Sequence, residues 1–355
     1  MDEATGGADE AGHSIGDARR LLFGAVDGLI LAQMVGAACE VGLADALGAD
    51  ELAPVGALAP RLGCDEGVLF RLVRALAAQG IFTIDAGRMV GHSEASRLLR
   101  RDDARSLAWF MRYWTMPSIW AAWGGLSHCV RTGAASFPVA NGRGFFEHMD
   151  AHAEDHRVFS SLMSVGFAGR HAALAAGLSF ADGEVVVDVG GGAGALLREI
   201  LLRNPGVRGV LYDLPSVVAG AGQCIDTEDL RARCVVEGGS FLERVPQGGT
   251  SYVLSWILHD WPDAGAIAIL KAVRAAMTPG ARLIVIEEVL AAEVGAGDAG
   301  TYVNDLNMLV LFGGSERTMA GFNALMAAAG FGDVTRIGDA GGMAVLEARG
   351  VDRVG

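Results

Sequence analysis

The sequence predicts an α/β protein. Its C-terminal half reads as a doubly wound, Rossmann-like parallel sheet closed by an antiparallel hairpin, and an α-helical winged-helix domain precedes it. Three observations carry this. From Val185 onward, apolar runs of strand length alternate with helical periodicities. The first of these runs, Val185–Val187, opens into a turn made of Gly190, Gly191, Gly192 and Gly194. Upstream, helical segments lead into a tight hairpin around Asp85–Gly87.

Taken in order, residues 1–16 are polar and glycine-rich and predict a disordered tail. Ala18–Leu47 carries apolar residues at helical spacing and predicts two helices broken near Gly42. Pro54–Leu62 and Asp65–Gln79 predict two short helices meeting at Gly63, the second capped by Asp65. Ile81–Ile84 and Arg88–Val90 form the hairpin, which completes a winged helix over residues 17–105. Its would-be recognition helix carries only Arg71 and Arg74 against Asp65 and Glu66, with apolar residues at most other positions. That composition suits packing between two copies of the chain rather than reading a major groove. Residues 106–180 predict a helical connector. Ser106–Val130 is helical and rich in aromatic residues (Trp109, Phe110, Tyr113, Trp114, Trp120, Trp123), mostly core, with one or two rings lining a pocket for a flat substrate. Thr132–Asn141 reads as a loop. Phe145–Ala173 reads as a helix whose stripe of Phe146, Met149, Phe159, Met163 and Phe167 is core.

A linker near Gly177–Gly183 introduces the sheet domain, residues 181–355. Its strands are Val185–Val189, Val207–Tyr212, Cys234–Glu237, Ser251–Ser255 and Arg282–Glu287. The helices between them include Leu196–Arg203, Ser216–Gly222 and Ala264–Ala276. Asp333–Ile337 and Met343–Ala348, separated by Gly341–Gly342, form the closing hairpin.

The bulk numbers narrow the function. The chain has 355 residues, 51% hydrophobic and 20% charged, enough for two domains and a large core. A formal net charge of −14 repels phosphate backbones, so no nucleic-acid partner is expected. The 5 cysteines are scattered without a C-x-x-C pair, which suggests reduced thiols and a cytoplasmic protein and gives no zinc or disulfide signal. No dense Asp/Glu/His cluster stands at metal spacing along the chain, so no metal is expected. No apolar run is read as long enough to cross a membrane and the acidic N-terminus is unlike a signal peptide, so no membrane partner is expected.

In such sheets ligands sit beyond the carboxyl ends of the strands, and the unusual polar residues cluster there. Behind the first strand, the glycine turn runs straight into a helix N-terminus, whose free N–H groups and positive dipole end favour a nucleotide-like or zwitterionic ligand. Asp213, at the end of the second strand, is placed to accept hydrogen bonds from a ribose. A dinucleotide or S-adenosylmethionine would suit this arrangement; Asp188, two residues before the first glycine, leans toward the latter. Gly239-Ser240-Phe241 offers a hydroxyl and a ring to an adenine. The fourth strand leads into Ser255-Trp256-Ile257-Leu258-His259-Asp260, and the fifth ends in Glu287 and Glu288. Neutral imidazole is a competent base near its ordinary pKa of ~6.5. A carboxylate on the other ring nitrogen would fix its tautomer, and Glu287 and Glu316 are the candidates.

The set VDVGGGAG (187–194), YDLP (212–215), GGSFLERVP (238–246), ILHDWPD (257–263) and GGSERT (313–318) resembles the small-molecule O-methyltransferases of the caffeate and hydroxyindole type. The likeness covers nearly the whole chain, because that family also begins with a winged-helix dimerisation domain. It implies a homodimer that binds S-adenosyl-L-methionine, releases S-adenosyl-L-homocysteine and methylates a small aromatic acceptor of polyketide, anthracycline or phenazine type. By the same likeness, Gly190 and Gly192 approach the methionine part of the cofactor. Asp213 holds the ribose, Leu214 packs on the adenine, and Gly239, Ser240 and Phe241 contact the adenine. Many members carry Asp where this chain has Ser240, which implies a weaker adenine hydrogen bond. Ser255 lies near the cofactor, where plant members often have Lys. His259 is the implied general base, with Glu287 and Glu316 as its flanking acids. Met163 and Met308 sandwich the acceptor ring, with Trp256 and Asn307 beside it; Glu288 has no matching role. Proteins of this build that use the cofactor for hydroxylation or decarboxylation, and N-methylation, are the alternatives. A winged-helix regulator with a nucleotide-like effector is a third.

Overall fold

The computed structural model describes residues 15–295 and 297–351, so the expected tail lies outside the described residues except for Ile15 and Gly16, which already belong to the first helix. The chain divides into two compact units, one ending at Thr115 and one beginning at Met116.

The first unit starts with α1 (Ile15–Glu40). Gly42, at φ +75°, breaks the helical path as expected, but the stretch behind it is a series of turns rather than a second helix. Leu43 and Leu47 are fully buried there. Then follow β1 (Ala53–Pro54), α2 (Val55–Leu62), α3 (Glu66–Ala78), β2 (Thr83–Ile84), β3 (Met89–Gly91), α4 (Glu94–Arg97) and α5 (Ala108–Trp114). Gly63 ends α2 in the left-handed conformation, and the Asp65 carboxylate accepts from the Val68 N–H at 2.9 Å to cap α3. β3 pairs antiparallel with both β1 and β2, which gives the wing. By length and composition alone, α1 could cross a membrane, contrary to the sequence reading. Leu21, Leu22, Phe23, Val26, Leu29 and Ile30 are at least half exposed along it, yet Asp27 stands in the middle of that run.

The second unit opens with α6 (Pro117–Gly124), α7 (Leu126–Thr132), α8 (Phe137–Asn141), α9 (Phe145–Ala151), α10 (Ala153–Ser161), a π turn (Leu162–Gly166) and α11 (Ala168–Gly177). The long helices expected here are therefore segmented, for local reasons. Pro117 pushes Met116 out of the helical region and starts a new helix. Gly125 separates α6 from α7. The expected loop before Asn141 closes into α8, because Pro138 falls in a first turn, where a missing N–H costs nothing. His152, with extended backbone, separates α9 from α10.

The sheet region follows as β4 (Val185–Val189), α12 (Ala195–Arg203), β5 (Arg208–Asp213), α13 (Pro215–Val218), α14 (Glu228–Arg233), β6 (Cys234–Gly238), β7 (Ser251–Ser255), α15 (Asp263–Ala276), β8 (Arg282–Glu287), β9 (Val289–Leu290), α16 (Ala299–Phe312), β10 (Arg317–Thr318), α17 (Met319–Ala329), β11 (Thr335–Ala340) and β12 (Met343–Arg349). The seven-stranded sheet has the order β11-β12-β8-β7-β4-β5-β6. β8, β7, β4, β5 and β6 are mutually parallel, and the β11–β12 hairpin adds antiparallel strands beside β8. Side chains alternate between two cores. Val187, Val189, Leu254, Leu283 and Val285 pack with α15 and α17. Val186, Val253, Ile284 and Ile286 pack on the other face with Leu174 of α11 and Leu197 and Ile200 of α12. Burial on both faces is why these strands read as continuous apolar runs. The 5 cysteines are unbridged.

Leu270 of α15 is fully buried in the first of these cores. Leu270→Ala is expected to destabilise the second unit by about 2–5 kcal/mol. Urea unfolding should show this as a lowered midpoint, with ligand affinity retained under native conditions.

Candidate active site

The glycine turn is shaped by its neighbours. Gly190, Gly192 and Gly194 all have positive φ. A Cβ on Gly190 would fall 2.4 Å from the Ile257 side chain and 3.3 Å from Phe241. Only glycine lets the turn lie against both, and this contact brings Phe241 and the loop behind β7 to the same crevice. Around Gly192 there is open space instead. The Asp213 carboxylate accepts from the N–H of Gly192 at 2.8 Å and from its neighbour Leu214 at 2.7 Å. Burial raises its pKa against those two hydrogen bonds. The Gly239 N–H donates to the Asp213 carbonyl at 2.9 Å. Ser240 Oγ accepts from the Leu242 N–H at 3.3 Å, and Phe241 meets Trp261 edge-on at 5.9 Å. Beneath the turn, Asp188 is buried with Oδ2 unpartnered; burial and the Asp213 charge push it up to about 7. The structure thus gathers Gly190, Gly192, Asp213, Leu214, Gly239, Ser240 and Phe241 at the ends of β4, β5 and β6. Ser255 ends β7, half-buried, beside Ile286 of β8.

A second cluster forms behind β7 and β8. His259 sits in a single 3-10 turn, Leu258–Asp260, and is buried. Its Nδ1 is 2.8 Å from Glu316 Oε1 and 3.4 Å from Glu287 Oε2. Its Nε2 is 3.5 Å from Asp260 Oδ1. Glu287, fully buried, uses Oε1 to accept from the N–H groups of Ile257 and Leu258, which ties the His259 loop to the end of β8. Glu316 stands directly before β10, which pairs parallel with β9, the short strand that begins two residues after Glu287. Buried Arg317 then donates to the carbonyls of Leu258 and Trp261 and to Asp263. A Cβ on Gly314 would fall 1.9 Å from the His259 carbonyl, so the two loops meet backbone to backbone.

The residues expected beside an acceptor lie on other elements. Met163 is half-buried in the π turn. Asn307 and Met308 are buried on α16. Trp256 has φ +56°, a conformation unusual for a bulky residue. Its indole N–H donates to Met343 Sδ at 3.3 Å and its ring lies 5.1 Å from Phe167. Sequence reasoning missed several partners. Asn304 Nδ2 donates to Glu316 Oε1 at 2.8 Å, Asp305 accepts from the Glu316 N–H, and Trp123 Nε1 donates to Asn307 Oδ1 at 3.1 Å. Asp260 was visible beside His259, but its approach to Nε2 depends on the tight turn.

The electrostatics correct one expectation. Burial opposes charging His259, but Glu287, Glu316 and Asp260 together outweigh it and push the imidazole up to about 10. The three carboxylates therefore favour the imidazolium, whereas the sequence reading started from a neutral ring. Burial also raises Glu287, and it lifts Asp260 to about 7. The absence of metal spacing along the chain does not extend to space: ligand atoms of His259, Glu287 and Glu316 all lie within 4.8 Å of one another.

With this geometry in view, comparison with known proteins is decisive. A family model for the O-methyltransferase domain matches residues 123–332, and one for the O-methyltransferase dimerisation domain matches residues 23–102. The chain belongs to the O-methyltransferase family. This O-methyltransferase is 35% identical over 291 residues to the mitomycin biosynthesis 6-O-methyltransferase of Streptomyces lavendulae, covering 80% of this chain and 82% of that one. It is 34% identical to the phenazine O-methyltransferase PhzM of Lysobacter antibioticus, covering 93% and 95%. Among solved structures it is similar to NcsB1, an O-methyltransferase from neocarzinostatin biosynthesis in complex with S-adenosylmethionine and 2-hydroxy-5-methyl naphthoic acid. That match has a TM-score of 0.77 and 31% identity, and covers 90% of this chain and 96% of that one.

The carboxylates' hold on the His259 proton can be measured in this O-methyltransferase. The imidazolium favours the fold below 6.5, its ordinary value, and that contribution is lost as pH rises through about 10. In Glu316→Gln a charged partner is gone, so the imidazole should release its proton at lower pH than in the wild type. NMR titration of 15N-labelled histidine checks this; an unmoved midpoint would show that Glu316 is not coupled to the ring.

Proposed function

We propose that this O-methyltransferase transfers a methyl group from S-adenosyl-L-methionine to a phenolic or enolic hydroxyl of a flat aromatic metabolite, polyketide-, anthracycline- or phenazine-like, and releases S-adenosyl-L-homocysteine. The observation that carries the chemistry is the 2.8 Å contact between His259 Nδ1 and Glu316 Oε1, which leaves Nε2 as the nitrogen able to meet an acceptor proton.

The residues at the crevice fit the donor. The Gly190 and Gly192 turn leaves room that side chains would fill, and the Asp213 carboxylate is fixed at the end of β5 by two backbone N–H groups. Ser240 and Phe241 stand at the adenine position, and Ser255 lies at the neighbouring strand end. The donor supplies a methyl group on a cationic sulfur, so the acceptor oxygen needs alignment and loss of its proton. Alignment falls to Met163 and Met308, whose polarizable thioethers adapt to a flat ring, with Trp256 beside them. Trp123 fixes the Asn307 amide by its oxygen, leaving Nδ2 as the amide's donor for an acceptor oxygen. His259, once neutral, takes the hydroxyl proton on Nε2 as the C–O bond forms. Glu316 and Glu287 steady the imidazolium produced, and Asn304 holds Glu316 in place.

We also propose a homodimer built on the first unit. The exposed apolar run of α1 favours a protein partner over a bilayer, since Asp27 would be costly in hydrocarbon and the matched dimerisation domain includes most of the helix. A cytoplasmic location is consistent with unbridged cysteines.

With a panel of phenolic acceptors, the wild type should yield S-adenosylhomocysteine and an acceptor heavier by one methyl group. His259→Ala should lower kcat by roughly 10²–10⁴-fold while calorimetric binding of S-adenosylhomocysteine is retained. Activity surviving EDTA, without stimulation by added divalent ions, would support His259 as base; strict metal dependence would reassign His259, Glu287 and Glu316 as ligands. A mass gain on nitrogen would shift the reading to N-methylation, and one of oxygen or a loss of carbon dioxide to the cofactor-assisted chemistries. Charging the α1 face with Leu22→Asp and Leu29→Asp should lower the native mass from dimer to monomer; an unchanged dimer would place the interface elsewhere.

A further inference from the structure

Arg170 is a half-buried cation with aromatic neighbours and, among the described residues, no ion-paired carboxylate. It lies in the first turn of α11, directly behind the π turn that carries Met163. Its guanidinium carbon lies over two rings, 5.2 Å from the centre of Phe167 and 5.1 Å from that of Trp256. Nη1 is 3.9 Å from Met343 Sδ. The side-chain stem passes so close to the hairpin turn that a Cβ on Gly341 would fall 2.9 Å from Arg170 Cγ. Among the described residues no carboxylate comes within ion-pair distance of it.

The surroundings favour an anion. The start of α11 contributes the positive end of a helix dipole. Its neighbour His171 is buried with Nδ1 unpartnered, and burial together with the Arg170 charge pushes it down to about 4, so it stays neutral. Glu288, half-buried just beyond β8, is raised by burial and by the Glu316 charge, while Arg170 and His259 lower it. The guanidinium is therefore within electrostatic reach of the catalytic cluster, and it shares Trp256 with the acceptor side. A planar guanidinium presents a fork of donors that matches a carboxylate. An aromatic ring against Trp256 would carry such a group in the same plane.

We propose that Arg170 is a specificity residue of the acceptor site that receives a carboxylate borne by the aromatic substrate, so that aromatic hydroxy acids are preferred over their uncharged counterparts. The assignment rests on the methyl-transfer reading above and extends it to a substrate class.

The test compares an ortho-hydroxynaphthoate with the naphthol that lacks its carboxylate. Each is titrated into wild type, Arg170→Gln and Arg170→Lys in the presence of S-adenosylhomocysteine, and methylated product is measured in parallel with S-adenosylmethionine. Arg170→Gln should weaken hydroxynaphthoate binding by roughly 10–100-fold and leave naphthol and S-adenosylhomocysteine binding unchanged. Arg170→Lys should recover part of the loss, since it keeps the charge without the fork. Equal losses on both acceptors, or no loss on either, would overturn the proposal. So would a loss of S-adenosylhomocysteine affinity, which would assign Arg170 to the carboxylate of the donor. If the wild type methylates no phenol at all, the methyl-transfer reading fails; if it methylates phenols without discriminating through Arg170, only this assignment fails.

Discussion

One imidazole buried among three carboxylates is the constraint around which the catalytic half is arranged. Glu287, Glu316 and Asp260 would be costly to bury as anions without a cation among them, and among the described residues His259 meets all three. Much of the nearby architecture serves to hold that balance. Glu287 spends one oxygen on the N–H groups of Ile257 and Leu258, so the same carboxylate that polarises the ring also fixes the loop carrying it. Arg317 clamps the other side of that loop through the carbonyls of Leu258 and Trp261. The β9–β10 pairing then sets the Glu316 segment against the end of β8. A change in any one of these supports would move the ring relative to its acids.

The donor side depends on backbone more than on charge. Gly190 lies closer to Ile257 and Phe241 than a side chain would permit. The N–H groups of Gly190 and Gly191 donate to the Tyr212 carbonyl and that of Gly192 to the Asp213 carboxylate. The ends of β4 and β5 are thereby cross-linked at the turn. Asp188 lies under that turn with an unpartnered oxygen and a raised proton affinity. A proton retained there limits the repulsion between it and Asp213.

Where the sequence was legible, a local signal existed. Strands buried on both faces showed as apolar runs, glycines with positive φ showed as a turn, and His259, Glu287 and Asp213 stood at strand ends where ligands are expected. The hidden parts depended on contacts between distant residues. Asn304 and Trp123 gain meaning only from α16 and α6, where they meet Glu316 and Asn307, and no periodicity marks either as polar support. The three potential metal ligands are equally scattered along the chain. The segmentation of the helical region was readable at Met116-Pro117, where proline restrains its predecessor, but not at the π turn, whose residues fit an ordinary helix. The membrane-length character of α1 is masked in the sequence because Asp27 interrupts the apolar run that begins at Leu21.

The raised proton affinity of His259 is at first sight awkward for a base, since a protonated ring cannot accept a proton. It is consistent with the proposed reaction once the charge of the whole crevice is counted. Without a donor, the three carboxylates around the imidazole favour its protonated form. A cationic donor nearby disfavours that form and lowers the ring's hold on its proton, freeing Nε2 to act. In the proposed reaction the donor sulfur would lose its positive charge with the methyl group, and His259 would gain one by taking the acceptor's proton. The buried acids would thus have one cation beside them before and after transfer, and their pull on a proton would favour its removal from the acceptor.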